Sequence, residues 1–149
     1  MTTKLISILV GLLIGSCTYA QGHIDHIKTQ AYLKYKDKVN CEKLPGDNLS
    51  ERICANLAFQ KSDSLLVLVY DSLVNKAQGK LVDSLTARLI KLQADWRKFR
   101  DDHCAIIYDS YKNCGACHMR SIAYLNCLKA LTDDRIKELR ELYAQVAQE

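Results

Sequence analysis

The sequence predicts an all-α protein, an up-down-up bundle of long antiparallel helices crosslinked by disulfide bonds. The 149 residues include only one proline and six glycines, so few residues interrupt helices. No stretch shows the sustained alternation of polar and apolar residues that is typical of strands. Seven cysteines are present, and six of them follow the N-terminal segment. An even number of cysteines favours disulfide pairing in an exported chain. A chain of this length is expected to form one domain.

The N-terminal segment has the pattern of a secretory signal peptide over residues 1–20. Lys4 precedes an apolar run that is too short to cross a bilayer comfortably, and small residues follow this run. Cleavage after Ala20 would release a soluble chain. The stretch LIGSC is similar to a lipobox, and cleavage after residues 1–16 would instead make Cys17 a lipidated first residue. Both routes predict export, to the periplasm or as a secreted protein.

Residues 21–40 are predicted to be a polar leader, either a short amphipathic helix or a partly mobile segment. The main domain is expected over residues 41–147. Within it, Pro45-Gly46 marks a turn, and Asn48 with Glu51 three residues later resembles a capping box.

Three long helices are predicted after this turn. The first runs from about residue 49 to residue 76 and closes near Gly79. The second carries apolar residues at intervals of three and four, which predicts one stripe that faces the core. Trp96 and Phe99 are interpreted as core anchors and His103 as a core histidine near the end of the stripe. The stripe consists of Leu81, Leu85, Leu89, Leu92, Trp96, Phe99, His103 and Ile106.

The third helix is predicted over residues 117–146, after the break YKNCGA. Short connections between long helices favour antiparallel packing of neighbours. Its apolar side is expected to comprise Leu128, Leu131, Ile136, Leu139, Leu142 and Val146.

The spacing of the cysteines favours one set of disulfide bonds. Cys104 and Cys127 lie at similar distances from the second interhelical turn, so a helical hairpin brings them level. Cys41 and Cys54 flank the Pro-Gly turn, and Cys114 and Cys117 would then pair within the second turn. Spacing alone leaves the other pairings of six cysteines open.

The stretch NCGACHMRS contains a CxxCH pattern, which carries covalent haem in c-type cytochromes. A small c-type cytochrome with haem on Cys114, Cys117 and His118 is therefore an alternative. Met119 is too close to His118 to be the second axial ligand. A structural disulfide is favoured, and a redox-active dithiol or a zinc site remains as a further alternative.

Three stretches together resemble the LprI-like domain of bacterial exported proteins. They are CANLAFQKSD at 54–63, WRKFRDDHC at 96–104 and CLKALTDDRIKEL at 127–139. The match covers residues 41 to about 142 in order. The family pattern falls on Cys41, Cys54, Asp63, Trp96, Phe99, Arg100, Asp101, Cys104, Cys127, Leu128, Leu131, Thr132 and Arg135.

The resemblance implies a helical envelope protein of a family that carries no haem and is named for a lysozyme inhibitor. The expected function is non-enzymatic binding of another protein, with lysozyme or a related glycan hydrolase as the leading candidate. A lipid-anchored structural or sensing module is an alternative. The sequence departs from the family pattern at Cys114 and Cys117, where members usually have a glycine-rich stretch.

Charged residues of the pattern are expected to fix the register of the helices. Asp63 or Asp101 is predicted to pair with Arg100 or Arg135 across helices, half buried. Thr132 is considered as a local cap or kink within the third helix. The functional alternative is that these charges face a partner.

Composition and motifs exclude several other functions. No catalytic triad order, phosphate-binding loop or HExxH pattern occurs, so no enzyme, metal site or cofactor is expected. Removal of the signal peptide would take away Lys4 from the 21 basic residues and none of the 17 acidic ones. The resulting balance of +3 (20 − 17) is too small to predict binding to nucleic acid or anionic lipid. An acidic contact surface on the third helix is an alternative to an ordinary solvated face. Its members would be Asp133, Asp134, Glu138 and Glu141.

Overall fold

The structure is a computed structural model and describes residues 31–43, 46–80, 83–111, 114 and 117–148. These residues form a short 3₁₀ helix (Ala31–Lys38) and three long helices. The long helices are α1 (Asn48–Lys80), α2 (Asp83–Ser110) and α3 (His118–Gln148). No strand occurs in these ranges, and the predicted all-α class is confirmed. None of the helices in them is long and apolar enough to cross a membrane.

The three helices run up, down and up, so α1 and α3 are parallel to each other and antiparallel to α2. The most extensive packing joins the parallel pair α1 and α3, whereas α2 lies mainly against α3. The sequence predicted packing between neighbours along the chain. The structure adds that the two helices separated by α2 form the main body of the bundle.

The core consists of two apolar clusters, one at each end of the bundle. One cluster lies at the end of the bundle where all six cysteines that follow the N-terminal segment are found, and we call this end the crosslinked half. The other cluster forms the uncrosslinked half, which holds none of the cysteines that the structure describes. Burying each large apolar side chain contributes about 1.5–3 kcal/mol. The crosslinked half comprises Ala55, Phe59, Cys104, Tyr108, Ile122, Tyr124, Leu125 and Leu128. The uncrosslinked half comprises Leu66, Leu73, Ala77, Leu89, Ile136, Leu139 and Val146.

The face of α2 that is buried differs from the predicted one. Leu92, Phe99 and Ile106 were expected in the core but are 56%, 55% and 70% exposed. His103, also expected there, is exposed, and Trp96 is only partly buried. The buried face instead carries polar residues between its apolar ones, and the partners of Arg100 and Gln93 lie on α1 and α3. Its buried members are Thr86, Leu89, Gln93, Arg100, Cys104 and Tyr108.

The N-terminus of α1 is capped one residue earlier than predicted. Asp47 Oδ1 accepts hydrogen bonds from the backbone amides of Leu49 and Ser50, both at 2.9 Å. Asp47 Oδ2 accepts a third bond from the Ser50 hydroxyl at 2.8 Å. The capping box assigned to Asn48 and Glu51 is therefore wrong, because Asn48 already lies in the first turn.

The end of the predicted leader docks onto α1 through one tyrosine. Asn56 Nδ2 donates a hydrogen bond to the Tyr32 hydroxyl at 2.7 Å. The Arg52 guanidinium lies 4.3 Å from the centre of the Tyr32 ring. The predicted signal peptide and the first part of the leader lie outside the described residues.

Candidate functional site

The Arg100 junction, formed by Arg100, Asp63, Asp101 and Thr132, connects all three long helices at the middle of the bundle. The Arg100 side chain is 6% exposed. Its Nη1 donates to Asp63 Oδ1 on α1 at 2.7 Å and to Thr132 Oγ1 on α3 at 3.1 Å. Its Nε donates to Asp101 Oδ1 at 3.0 Å. A buried guanidinium with several partners fixes the relative positions of the helices.

Aromatic rings line the two sides of this junction. The Arg100 guanidinium lies 5.4 Å from the centre of the Phe59 ring and 5.3 Å from that of Trp96. Phe59 belongs to the crosslinked half, and Trp96 packs against the uncrosslinked half. The junction therefore separates the two apolar clusters with a buried charged layer.

Arg135 lies near the junction but has different partners. Its Nε donates to Gln93 Oε1 at 3.1 Å and its Nη1 to Glu138 Oε2 at 2.8 Å. Its guanidinium lies 5.7 Å from the centre of the Trp96 ring. The ion pair between helices is therefore formed by Arg100 with Asp63. Arg135 instead connects α3 to α2 through the uncharged amide of Gln93.

Thr132 does not interrupt α3, which continues without a break from His118 to Gln148. Its side chain is fully buried and its hydroxyl accepts the bond from Arg100. Thr132 is therefore not a cap or kink within α3 but connects this helix to Arg100 on α2.

The structure brings the cysteines together in three pairs. Cys41 faces Cys54 and Cys104 faces Cys127, with Cα–Cα distances of 5.5 and 5.7 Å. Cys104 is completely buried. The first pair ties the segment before α1 to that helix, and the second joins α2 to α3.

The two cysteines of the CxxCH pattern form the third pair, with a Cα–Cα distance of 5.4 Å. This distance fits the disulfide interpretation of Cys114 and Cys117. His118 begins α3, and its Nδ1 is buried without a hydrogen-bond partner among the described residues. No group of three or more His, Cys, Asp or Glu residues in the described ranges could hold a metal ion.

The acidic residues on α2 do not converge with His103. Asp101 binds Arg100, and Asp102 pairs with Lys98 on its own helix. The His103 ring lies 5.5 Å from that of Phe99 on the outer face. In the described part of the chain these groups form no acid–base constellation.

The acidic residues considered on α3 are mostly paired with cations of the same helix. Asp133 pairs with Lys129, Asp134 with Lys137 and Glu138 with Arg135. Partial burial pushes the pKa of Asp133 up, but hydrogen bonds from Lys129 and Ser62 outweigh it and lower that pKa. These side chains do not present a concentrated negative surface.

The described residues include an exposed apolar line on α2 and an apolar groove between α1 and α3. The α2 ridge consists of Leu92, Phe99 and Ile106. The α1–α3 groove has a volume of about 430 Å³ and lies on the uncrosslinked half. Sequence reasoning missed this groove, although the apolar run LLVLV at 65–69 was a signal that α1 is apolar on more than one side. The groove is lined by Leu68, Val69, Ser72, Arg140 and Tyr143.

These features define a helical protein crosslinked by disulfide bonds, with a charged junction centred on the buried Arg100 and exposed apolar surfaces on α2 and between α1 and α3. The chain belongs to the lysozyme inhibitor LprI family, whose model matches residues 41–139. No curated protein and no solved structure matches the chain.

Proposed function

We propose that this protein is an exported, non-enzymatic inhibitor of lysozyme or of a related glycan hydrolase. The observation that carries the proposal is the family match over residues 41–139, since that family is described as a lysozyme inhibitor. A rigid helical body supports inhibition by contact, because a partner that is already ordered loses little conformational freedom on binding.

The α1–α3 groove is the proposed contact surface for the hydrolase. Leu68 is 64% exposed at its edge, and Tyr143 and Arg140 lie opposite on α3. Tyrosine and arginine are enriched among residues that dominate binding energy. A concave apolar surface with these two side chains suits a protruding side chain at the rim of the hydrolase cleft.

Charge supports contact by shape and apolar burial rather than by electrostatic steering. The chain has a net charge of +4, and the acidic residues on α3 are paired within their own helix. A basic hydrolase would therefore gain little from long-range attraction. Inhibition is expected to change only slightly between low and physiological salt.

Lysis of cell-wall substrate by lysozyme, measured with and without the purified protein, tests the function. Inhibition is expected, and the double variant Leu68→Ala/Tyr143→Ala should weaken it by about tenfold or more. Leu92→Ala is the matched control, because Leu92 is an exposed leucine on another helix. No inhibition of any lysozyme or muramidase by the wild-type protein would contradict the function. Equal loss in both variants would contradict the assigned surface.

The route of export is part of the proposal. Either a signal peptide is removed after Ala20, or Cys17 is acylated and anchors the protein to a membrane. Labelling with a fatty acid that is lost in Cys17→Ser would support the anchor. A mature N-terminus at Gln21 without lipid would support the soluble form.

A further inference from the structure

The disulfide between Cys114 and Cys117 differs from the other two in what it joins. It closes a sequence separation of 3, against 13 for Cys41 with Cys54 and 23 for the pair that joins α2 to α3. The stabilisation that a disulfide provides grows with the length of the loop it closes. Both cysteines lie in the connection between α2 and α3, so their bond ties no two helices together. Its contribution to stability is therefore the smallest of the three.

A backbone turn holds these two cysteines close to each other independently of the sulfur–sulfur bond. The Cys117 amide donates a hydrogen bond to the Cys114 carbonyl at 3.1 Å, and the Cys114 amide donates one to the Tyr111 carbonyl at 3.2 Å. The Cα atoms of the two cysteines are 5.4 Å apart, a spacing that suits a disulfide. Because neither hydrogen bond involves a sulfur atom, the reduced pair is expected to keep the spacing that it needs to close again.

Other molecules can reach this disulfide. Cys114 and Cys117 are both partly exposed, whereas Cys104 of the disulfide between α2 and α3 is completely buried. Thiol–disulfide exchange requires the attacking sulfur to reach one of the two bonded sulfurs. Cys41 and Cys54 are accessible as well, so the surroundings of the sulfurs must distinguish these two pairs.

The surroundings of Cys117 favour a negative charge on its sulfur. Cys117 immediately precedes α3, whose first turn contains no acidic residue. The first amides of a helix have no acceptor within the helix and stabilise an anion such as a thiolate. The nearby side-chain charges are balanced, since Arg120 pairs with Asp109 of α2 and His118 interacts with Asp47. The cysteines that tie the preceding segment to α1 do not have such a position at the start of a helix.

We propose that the disulfide between Cys114 and Cys117 is a thiol–disulfide exchange site that oxidises a protein or peptide dithiol. A thiolate of the substrate attacks Cys114 Sγ and forms a mixed disulfide, and the Cys117 sulfur leaves as the thiolate beside α3. A better stabilised thiolate leaves faster, which sets this order. The second thiolate of the substrate then attacks the substrate sulfur of the mixed disulfide and releases Cys114.

This exchange balances without a further reactant. The substrate loses two electrons and two protons and becomes a disulfide, while Cys114 and Cys117 gain both and become two thiols. A second disulfide compound, for example oxidised glutathione, regenerates the pair by the reverse exchange. The site lies on the crosslinked half and the α1–α3 groove on the other, so the exchange does not depend on the proposed inhibitory function.

Incubation of the purified, oxidised protein with a synthetic peptide that contains two cysteines separated by two residues tests the activity. The wild type is expected to oxidise one equivalent of the reduced peptide, and Cys114→Ser/Cys117→Ser should lower the rate by about tenfold or more. Cys41→Ser/Cys54→Ser is the matched control and should retain the rate. Circular dichroism checks that each variant keeps its helices. A wild type that oxidises the peptide no faster than Cys114→Ser/Cys117→Ser would overturn the proposal.

Equilibration of the wild type with glutathione buffers compares the three disulfides in one protein. Alkylation and mass mapping should show that the pair of Cys114 and Cys117 is half reduced at a ratio of [GSH]² to [GSSG] about tenfold or more below that of the other pairs. Reduction of all three disulfides at the same ratio would overturn the proposal.

Single variants test the role of each sulfur. With the oxidised peptide, Cys117→Ser should accumulate a mixed disulfide on Cys114, because the sulfur that releases the peptide is missing. Cys114→Ser is the matched control and should accumulate less. A mixed disulfide that forms mainly on Cys117 would overturn the assigned order of attack.

Discussion

The two halves of the bundle are stabilised in different ways. In the crosslinked half, disulfide bonds join α2 to α3 and the preceding segment to α1. Arg120 adds a further link, because its Nε donates to the Tyr108 carbonyl at 2.8 Å and its guanidinium lies 3.7 Å from the centre of the Tyr108 ring. The uncrosslinked half depends on the packing of leucine, isoleucine, valine and alanine side chains.

Both halves contain buried polar groups that lack partners among the described residues, with His118 Nδ1 in the crosslinked half and two such groups in the uncrosslinked half. Thr86 Oγ1 and Gln93 Nε2 are buried without a hydrogen bond to the described residues. Each such group costs about 1–3 kcal/mol. Because the uncrosslinked half also carries the α1–α3 groove, the proposed binding surface lies on the half that is ordered by packing, without a disulfide bond among the described residues. We expect the Arg100 junction to couple the two halves, because Arg100 binds Asp63 on α1 and Thr132 on α3.

Removing the disulfide between α2 and α3 is expected to lower the free energy of unfolding more than any other change proposed for the two halves. Cys104→Ala/Cys127→Ala opens a loop with a sequence separation of 23 and should lower the free energy of unfolding by about 3 kcal/mol. Chemical denaturation measures the loss, and hydrogen exchange should show that protection in the crosslinked half falls toward that of the other half. Cys41→Ala/Cys54→Ala, with a separation of 13, serves as a control with a smaller expected loss. Unchanged protection would show that packing alone holds this half.

Replacing Arg100 with Met should uncouple the two halves. The change leaves the buried Thr132 hydroxyl without its donor, while the partly exposed Asp63 regains water, so the expected loss is about 2–3 kcal/mol. In this variant, the unfolding transition detected by Trp96 fluorescence should then occur at a lower denaturant concentration than the transition detected by circular dichroism. Arg135→Ala is the comparison variant, and its melting temperature should fall less because its partner Glu138 is exposed. Coincident transitions in Arg100→Met would contradict the coupling.

Removing an unpaired buried hydroxyl should strengthen the uncrosslinked half. Thr86→Val keeps the shape of the side chain and eliminates Oγ1, so the free energy of unfolding should rise by about 1 kcal/mol. Thermal unfolding measures the gain. Ser110→Ala, an exposed change on the same helix, should have little effect. A destabilised Thr86→Val variant would show that the hydroxyl has a partner in solution.

The smallest expected effect is the pH dependence of the α1 cap. Hydrogen bonds from the Ser50 backbone amide and hydroxyl lower the pKa of Asp47 below 3.8. The ionised Asp47 cap therefore contributes its full stabilisation at pH values above the pKa of Asp47 in the unfolded chain. This contribution is lost as the pH falls through the lower pKa of Asp47 in the folded protein. The difference in melting temperature between wild type and Asp47→Ala should be constant from neutral pH to about 5 and shrink below about 4. A difference that persists in strong acid would argue against the ionised cap.

Local sequence patterns were sufficient to predict the all-α class and the three long helices. These depend on local properties, namely few helix breakers and apolar residues at helical intervals. The same local reasoning placed the cap one residue too late, because Asp47 and Asn48 are both suitable capping residues and only the backbone distinguishes them.

Which face of α2 is buried depends on its contacts with the other two helices. An apolar stripe shows that a helix has a preferred side, but it does not reveal polar partners on other helices. Arg100 and Cys104 lie four residues apart and therefore on one side of α2. Because Cys104 faces Cys127 and Arg100 meets Asp63 and Thr132, that side turns inward. Phe99 precedes Arg100 by one residue, about 100° around the helix, so the same contacts turn the α2 ridge outward.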